Sequence, residues 1–350
     1  MAANRAKKIT LSDVAEKAGV SRTTASYILG KTRGGFAKET VERVSNAAKE
    51  LGFTPNPIAQ GLRTGRTGLL GLLVTPDPRS PQSYIRSQIE VGISIEARKR
   101  GMDLIQLVAT AGEGSEIGRV SELVCTGLVE GLVLYAPRKL PVSSWLRDYG
   151  AAFVVVGNPD MRGVYSVDVD NVGVGRSVAR HLIDFGHRSL LFIAPPEELT
   201  YGGDRVEGFL LACAEAGLAT DQTTVVRAED SMAGGYNAIR KALKSGLGFT
   251  GVCASDDSMA YGAVTALKEA GLRVPEDVSV VGCNDDYLAG IDQEFLTTIE
   301  LDFVKLGSLA ASKLISLLDE EPTRRRELID FRLLQRKSSG PASARRLDMP

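Results

Sequence analysis

Thr10-Leu11-Ser12-Asp13-Val14-Ala15-Glu16-Lys17-Ala18-Gly19-Val20-Ser21-Arg22-Thr23-Thr24-Ala25-Ser26-Tyr27-Ile28-Leu29-Gly30 reads as two short helices around a tight turn. Thr10 caps the first helix, and Asp13 at its third position makes a weak capping box. Leu11, Val14, Ala15 and Ala18 fall at i, i+3, i+4 and i+7, one apolar stripe. Gly19 ends that helix, Val20 buries the turn, and Ser21 caps the next. In the second helix Ala25, Ile28 and Leu29 face inward, and Gly30 stops it. Val41, Val44, Ala48 and Leu51 form the stripe of a third helix, closed by Gly52. Small residues in the turn let the first two helices cross closely, as a helix-turn-helix requires. The second helix then exposes Arg22, Thr23, Ser26 and Tyr27. These side chains suit reading of a DNA groove: Arg for guanine, Thr for a thymine methyl or phosphate, Tyr for a phosphate or base edge. The bland alternative is a solvated polar face on a small helical bundle.

Charge supports the groove reading. Residues 1–66 hold 12 Lys and Arg against 5 Asp and Glu, a net +7, while residues 67–350 hold 30 against 38, a net −8. A basic head seeks a polyanion, but charge alone gives only non-specific binding. Beyond Gly52 the chain continues Phe53-Thr54-Pro55-Asn56-Pro57-Ile58-Ala59-Gln60-Gly61-Leu62-Arg63-Thr64-Gly65-Arg66, a linker by its prolines and glycines. Ile58 to Arg63 has room for one or two helical turns, too few to be stable alone. Leu62 as an apolar wedge beside Arg63 and Arg66 is the composition of a minor-groove element that orders on DNA. A plain flexible tether is the alternative.

From Leu69 onward short apolar runs alternate with helical patterns. The runs are 69–75, 104–109, 131–135, 153–156, 190–194, 251–254 and 278–282. Helical stretches fall near 85–100, 116–126, 172–186, 204–216, 234–245, 258–270 and 304–318. This alternation predicts parallel sheets with crossover helices, and the number of units predicts two α/β lobes. Ligands in such folds sit at the carboxyl ends of strands and in the cleft between lobes.

Other classes find little support. No apolar run reaches the roughly 18 residues of a membrane span. The basic start breaks off before a secretory core forms, so a cytoplasmic protein is expected. Cys125, Cys213, Cys253 and Cys283 lack metal-ligand spacing and read as small core residues in a reducing compartment. His181 and His187 read as helix-end packing residues. Gly173-Val174-Gly175 is a fragment of a dinucleotide fingerprint without its third glycine. The pairs Asp256-Asp257 and Asp285-Asp286 suit acid–base work, a metal, or binding of hydroxyls at strand ends. No catalytic motif completes an enzyme reading, and no cofactor is expected.

Asp13-Val14-Ala15, Ala18-Gly19-Val20-Ser21, Thr24, Ser26, Pro55-Asn56, Ala59 and Leu62 resemble the head and hinge of the LacI/GalR family of bacterial transcription regulators. The body resembles the same family over roughly 67–340. It does so through Asp170-Asn171, His181-Leu182-Ile183 to Gly186-His187-Arg188, Arg205-Val206-Glu207-Gly208-Phe209, Asp256 to Ala263, Val274 to Gly282, and Arg336-Lys337-Ser338. The resemblance implies a helix-turn-helix DNA-binding domain at 1–55, a hinge at 56–66, and a two-lobed effector-binding and dimerisation domain at 67–340. Its lobes would be about 67–167 plus 297–325 and 168–296 plus 326–340, followed by a disordered tail at 341–350. The implied fold is an all-α head on a body like a periplasmic binding protein. The implied partners are a double-stranded DNA operator, a second copy of the chain, and a small-molecule effector: a sugar, nucleobase or other polar metabolite.

Residue by residue, the resemblance implies that Arg22, Thr23, Ser26 and Tyr27 contact the major groove. It places Ala59, Leu62 and Arg63 at the hinge, with Leu62 prying open the central step of a palindromic operator. For the effector it implies Tyr84, Arg86, Arg205, Asp230, Asp256 and Asn284, with Arg205 gripping effector oxygens. Departures are visible. The loop Lys31 to Phe36 is one residue longer than usual, and Ala37 stands where a Ser cap is usual. Asn284 follows Cys283 where the family often has Asp, and Asp230 falls where an aromatic ring often stacks on the ligand. The last substitution suggests a more polar or positively charged effector; a plain hexose would need Tyr84, Tyr201 or Tyr287 as its platform. The rival from another class is a small-molecule-binding protein whose head only tethers it non-specifically to DNA.

Overall fold

Residues 9–30, 35–54, 66–74, 82–108, 115–135, 141–159, 161–286, 292 and 294–343 are described by a computed structural model. The chain divides into two units, Met1–Gly68 and Leu69–Pro350. In the first, helices α1 (Leu11–Ala18), α2 (Arg22–Leu29) and α3 (Lys38–Leu51) pack around Val14, Ala15, Ala18, Ala25, Ile28, Val44, Ala47 and Ala48. The expected capping box is present: Asp13 N donates to Thr10 Oγ1 at 3.3 Å, and Thr10 N donates to Asp13 Oδ2 at 2.7 Å. Gly19 takes φ 65°, a left-handed turn that Cβ disfavours, and so lets α2 fold back. Arg43 Nε on α3 donates to Ala18 O at 2.9 Å, satisfying a carbonyl at the end of α1.

The second unit holds two parallel sheets. The first contains β1 (Leu69–Val74), β2 (Asp103–Val108), β3 (Gly131–Tyr135), β4 (Phe153–Val156), β5 (Tyr165–Val169) and β11 (Arg326–Ile329), in the order β11-β5-β4-β3-β1-β2. The second contains β6 (Leu190–Ala194), β7 (Thr223–Arg227), β8 (Gly251–Ala254) and β9 (Ser279–Val281), in the order β7-β6-β8-β9. Between the lobes run β10 (Thr298–Leu301) and β12 (Phe331–Leu334), paired antiparallel. Helices α4 (Gln82–Lys99), α5 (Ser115–Cys125), α6 (Pro141–Tyr149) and α11 (Phe303–Leu318) belong to the first lobe. Helices α7 (Asn171–Asp184), α8 (Thr200–Glu215), α9 (Met232–Lys244) and α10 (Asp257–Glu269) belong to the second.

The apolar runs of the sequence all became strands, most of them buried on both faces of a parallel sheet, with β2 partly exposed at the sheet edge. The strands that pattern missed are mixed in polarity. β5 contains Ser166 and Asp168, and β7 is half-exposed at a sheet edge. β11 corrects the lobe boundary. It pairs with β5 in the first sheet, whereas the sequence reading puts 326–340 wholly in the second lobe. Its alternating exposure, as an edge strand, hides it from a search for apolar runs. The tail is also corrected at its start. Ser338 O accepts from Val280 N, and Ala342 N donates to Phe185 O at 2.8 Å, so residues 341–343 lie against the second lobe. The histidines hold the same segment: His181 Nε2 lies 2.8 Å from Ser339 Oγ and His187 Nε2 3.1 Å from Gly340 O. Cys213, Cys253 and Cys283 are buried as expected, but Cys125 is exposed at the end of α5.

The α7–α8 crossing explains Gly175, whose motif had suggested a nucleotide fingerprint. A Cβ on Gly175 would meet Arg205 O at 1.9 Å, and one on Gly208 would meet Val172 O at 1.9 Å. These glycines face each other so that two backbones can touch, and the contact fixes the helix that carries Arg205.

Candidate functional site

Two surfaces carry chemistry. On the head, Ser21 Oγ accepts from Thr24 N at 3.0 Å and starts α2. Arg22 and Thr23 are exposed on its first turn, Tyr27 is 45% exposed one turn later, and Ser26 is half-buried between them. The four side chains lie along a helix whose other face, Ala25 and Ile28, is locked in the core. Ala59, Leu62 and Arg63 lie outside the described residues.

In the second unit a cavity of about 70 Å³ opens where the carboxyl ends of both sheets converge. The first lobe contributes an apolar wall from Ile85, Ile89, Val156, Phe303 and Leu306, with Tyr135, Gly157, Asn158, Asp168 and Val169. The second lobe contributes Asn171, Thr200, Tyr201, Arg205, Asp256 and Asn284.

Arg205 organises the second-lobe side. Although 4% exposed, it donates from Nε to Asn171 Oδ1 at 2.9 Å, from Nη1 to Ser255 O, and from Nη2 to Asn284 Oδ1 at 3.2 Å. Asn284 Nδ2 passes the network on to Asp256 Oδ2 at 2.9 Å. Asp256 Oδ1 accepts from Ser258 N at 2.7 Å and caps α10. Asn284 holds this position at φ 110° and the next residue, Asp285, at φ 55°, unfavourable conformations for residues with a Cβ. Arg336 Nη1, 2.7 Å from Asp285 Oδ1, ties down the strained turn.

Burial sets the ionisation. Desolvation pushes the Asp168 carboxyl up to about 6, against a hydrogen bond from Val169 N and the pull of Arg326 and Arg205. Asp257, behind the cavity, is pushed up to about 7 by burial, although Thr298 Oγ1 donates to it at 2.6 Å and Asp286 N at 2.8 Å. Burial also raises Asp256, where Ser258, Arg205 and Asn284 pull the other way. The Tyr135 phenol is raised first by burial and then by Asp230, Asp286 and Asp256, with Arg86 opposing.

Of the effector residues inferred from sequence, Arg205, Asp256 and Asn284 line the cavity. Asp230 stands just behind it, hydrogen-bonded to the Tyr201 hydroxyl. Arg86 is half-buried within electrostatic reach of Tyr135. Neither Arg86 nor Tyr84, which is 36% exposed, is among the described lining residues. Of the three tyrosines that could serve a plain hexose as a platform, Tyr201 lines the cavity, with the Arg205 guanidinium 5.0 Å from its ring centre. Tyr287 lies outside the described residues. Sequence reasoning missed Asp168, Tyr135 and Asn158. The one signal for Asp168 was a charged residue inside the β5 pattern Tyr165-Ser166-Val167-Asp168-Val169. Among the described residues no group of three His, Cys, Asp or Glu side chains is placed to hold a metal, and no helix is long and apolar enough to cross a membrane.

Comparison with known proteins identifies the families that the two units match. Residues 10–56 match the family described as bacterial regulatory proteins, lacI family, and residues 179–339 match the periplasmic binding protein-like domain. The HTH-type transcriptional regulator CelR of Thermobifida fusca is 31% identical over 340 residues, 95% of this chain and 99% of the relative. Among solved structures, the complex of the transcriptional regulator CelR with cellobiose aligns with a TM-score of 0.70 at 29% identity, over 94% of this chain and 99% of that one. The lac repressor dimer bound to operator and the anti-inducer ONPF aligns with a TM-score of 0.84 at 25% identity, over 95% of this chain and 100% of that one.

Proposed function

Since the chain belongs to the lacI family of bacterial regulatory proteins, we propose that it is a repressor that binds a palindromic operator as a homodimer and answers to a small molecule in its cleft. The observation that carries the proposal is the junction of the two lobes. Arg205, Asn284 and Asp256 present a fixed polar wall from the second lobe to an apolar wall on α4 and α11 of the first. A ligand that touches both walls binds a closed arrangement better than an open one. That difference in affinity is what lets binding shift an equilibrium.

On the head, Arg22, Thr23, Ser26 and Tyr27 read base edges in the major groove, and Ala59, Leu62 and Arg63 engage the minor groove. The solved relatives support this division: one is a dimer held with operator and an anti-inducer, the other a complex with cellobiose. Val91 and Ile95, each 47% exposed and one turn apart on α4, give the first lobe an apolar stripe suited to a second copy. Closure of the cleft would alter the dimer geometry and so the spacing of the two hinges.

Selection of bound sequences from random duplex DNA tests the proposal. The expected product is an inverted repeat whose enrichment changes when metabolite extract is added. Uniform retention of all sequences would favour non-specific tethering instead.

A further inference from the structure

We propose that the cleft takes a ligand bearing a protonated amine, seated against the Asp168 carboxylate. The inference rests on reading the cavity as an effector site and names the chemical class that fits it.

The cavity's own donors are largely committed to the protein. The Asn171 amide donates to Asp168 Oδ1 at 3.3 Å and Val169 O at 3.4 Å. The Asn284 amide donates to Asp256 at 2.9 Å, and the Asn158 amide to Asp204 Oδ2 at 3.0 Å. Arg205 directs Nε, Nη1 and Nη2 to Asn171, Ser255 and Asn284. The conspicuous open valence is an acceptor. Asp168 lines the cavity, is 4% exposed, and its Oδ2 has no hydrogen-bond partner. A buried carboxylate oxygen left this way costs folding free energy that a donor from a ligand returns.

Charge around the cavity selects among donors. Asp286, also 4% exposed, has neither carboxylate oxygen hydrogen-bonded. Burial, with Asp256 and Asp257 beside it, pushes the Asp286 carboxyl well above the usual carboxylate range, which favours its neutral form. Asp168 is the carboxylate with an open oxygen in the cavity wall. An ammonium group supplies the missing donor together with a charge complementary to the Asp168 carboxylate, and the rings of Tyr135 and Tyr201 offer it π-faces. A neutral hydroxyl supplies the donor alone.

Calorimetric titration of the purified full-length protein separates these cases. The probes are ethanolamine, putrescine, glucosamine and galactosamine, each beside its hydroxyl counterpart: ethylene glycol, 1,4-butanediol, glucose and galactose. Cellobiose is the neutral control. The expected result is at least one amine binding tenfold or more tighter than its counterpart, with that preference lost in Asp168→Asn. Equal or tighter binding of the neutral partner, saturation by cellobiose alone, no saturation by any amine, or a preference that survives Asp168→Asn would each overturn the proposal. The paired probes decide the matter on the unmodified protein even if the variant does not fold. Operator selection on the same preparation keeps the regulator reading separate: a neutral sugar that alters operator binding sinks the amine and leaves the regulator standing.

Discussion

Gly175→Ala is expected to destabilise the second unit and displace Arg205, although it replaces a poor helix former with the best one. In an unobstructed helix the change would gain about 1 kcal/mol. Here the new Cβ meets Arg205 O at 1.9 Å, its carbonyl carbon at 2.7 Å and its Cα at 2.9 Å, all backbone atoms of α8. No rotamer change relieves a backbone clash, so α7 and α8 must separate by roughly 1.5 Å to restore ordinary contact. Overpacking of this kind costs about 1–3 kcal/mol, which offsets the propensity gain and leaves a net loss of up to about 2 kcal/mol. A shift of that size stretches the bond from Arg205 Nη2 to Asn284 Oδ1, now 3.2 Å, beyond hydrogen-bonding reach. The same helix supplies the control. A Cβ on Gly203 meets nothing within 4 Å, so Gly203→Ala should be stabilising by up to about 1 kcal/mol. Urea unfolding of the three proteins, with effector titration alongside, measures both effects. A Gly175→Ala protein as stable as Gly203→Ala, with undiminished ligand affinity, would refute the argument that this contact sets the position of Arg205.

Two further outcomes follow from the same structure. Ala37 starts α3 with no side-chain cap, so Ala37→Ser should stabilise that helix by about 1 kcal/mol, read as roughly fivefold slower hydrogen exchange of α3 amides in the full chain. Asp257 is held at about 7 in the folded protein against roughly 3.9 unfolded, so the folded state binds more protons and this residue's contribution is complete below about pH 4. It is lost as pH rises, by roughly 2 kcal/mol between pH 5 and 7. Asp257→Asn should remove that decline when unfolding curves are compared across the interval, and His181 and His187, whose depressed values act in the opposite sense, are common to both proteins.

The head was legible nearly to the atom because its signals are local. A cap, a left-handed glycine and a spacing of three or four residues act within one turn, and Thr10, Gly19, Ser21 and Gly52 each sit where those rules put them. The two-sheet body was legible wherever a strand is a run of apolar residues. It was not legible at β5, β7, β10, β11 and β12, where polar or charged residues such as Asp168, Thr298 and Glu300 interrupt the run. Within the cleft, Arg205, Asp256 and Asn284 came through resemblance to a family of known architecture. Asp168 did not, because a charged residue inside a buried strand contradicts the pattern that identifies strands. What marks Asp168 in the structure is an Oδ2 buried without a hydrogen-bond partner in a residue that lines the cavity. Places where local pattern and tertiary environment disagree are where function is expected.

Base reading by α2 is the centre of the functional account, and Arg22 is its sharpest probe. The direct measurement is the affinity of the wild-type and Arg22→Ala proteins for the selected operator and for a scrambled duplex, at one salt concentration. Exposed at the start of α2, Arg22 can pair bidentately with guanine, an interaction of about 1–3 kcal/mol. The account predicts that Arg22→Ala weakens operator binding by that amount and scrambled-duplex binding by much less. An equal loss on both duplexes would reduce Arg22 to a phosphate contact and contradict the claim that this helix reads sequence.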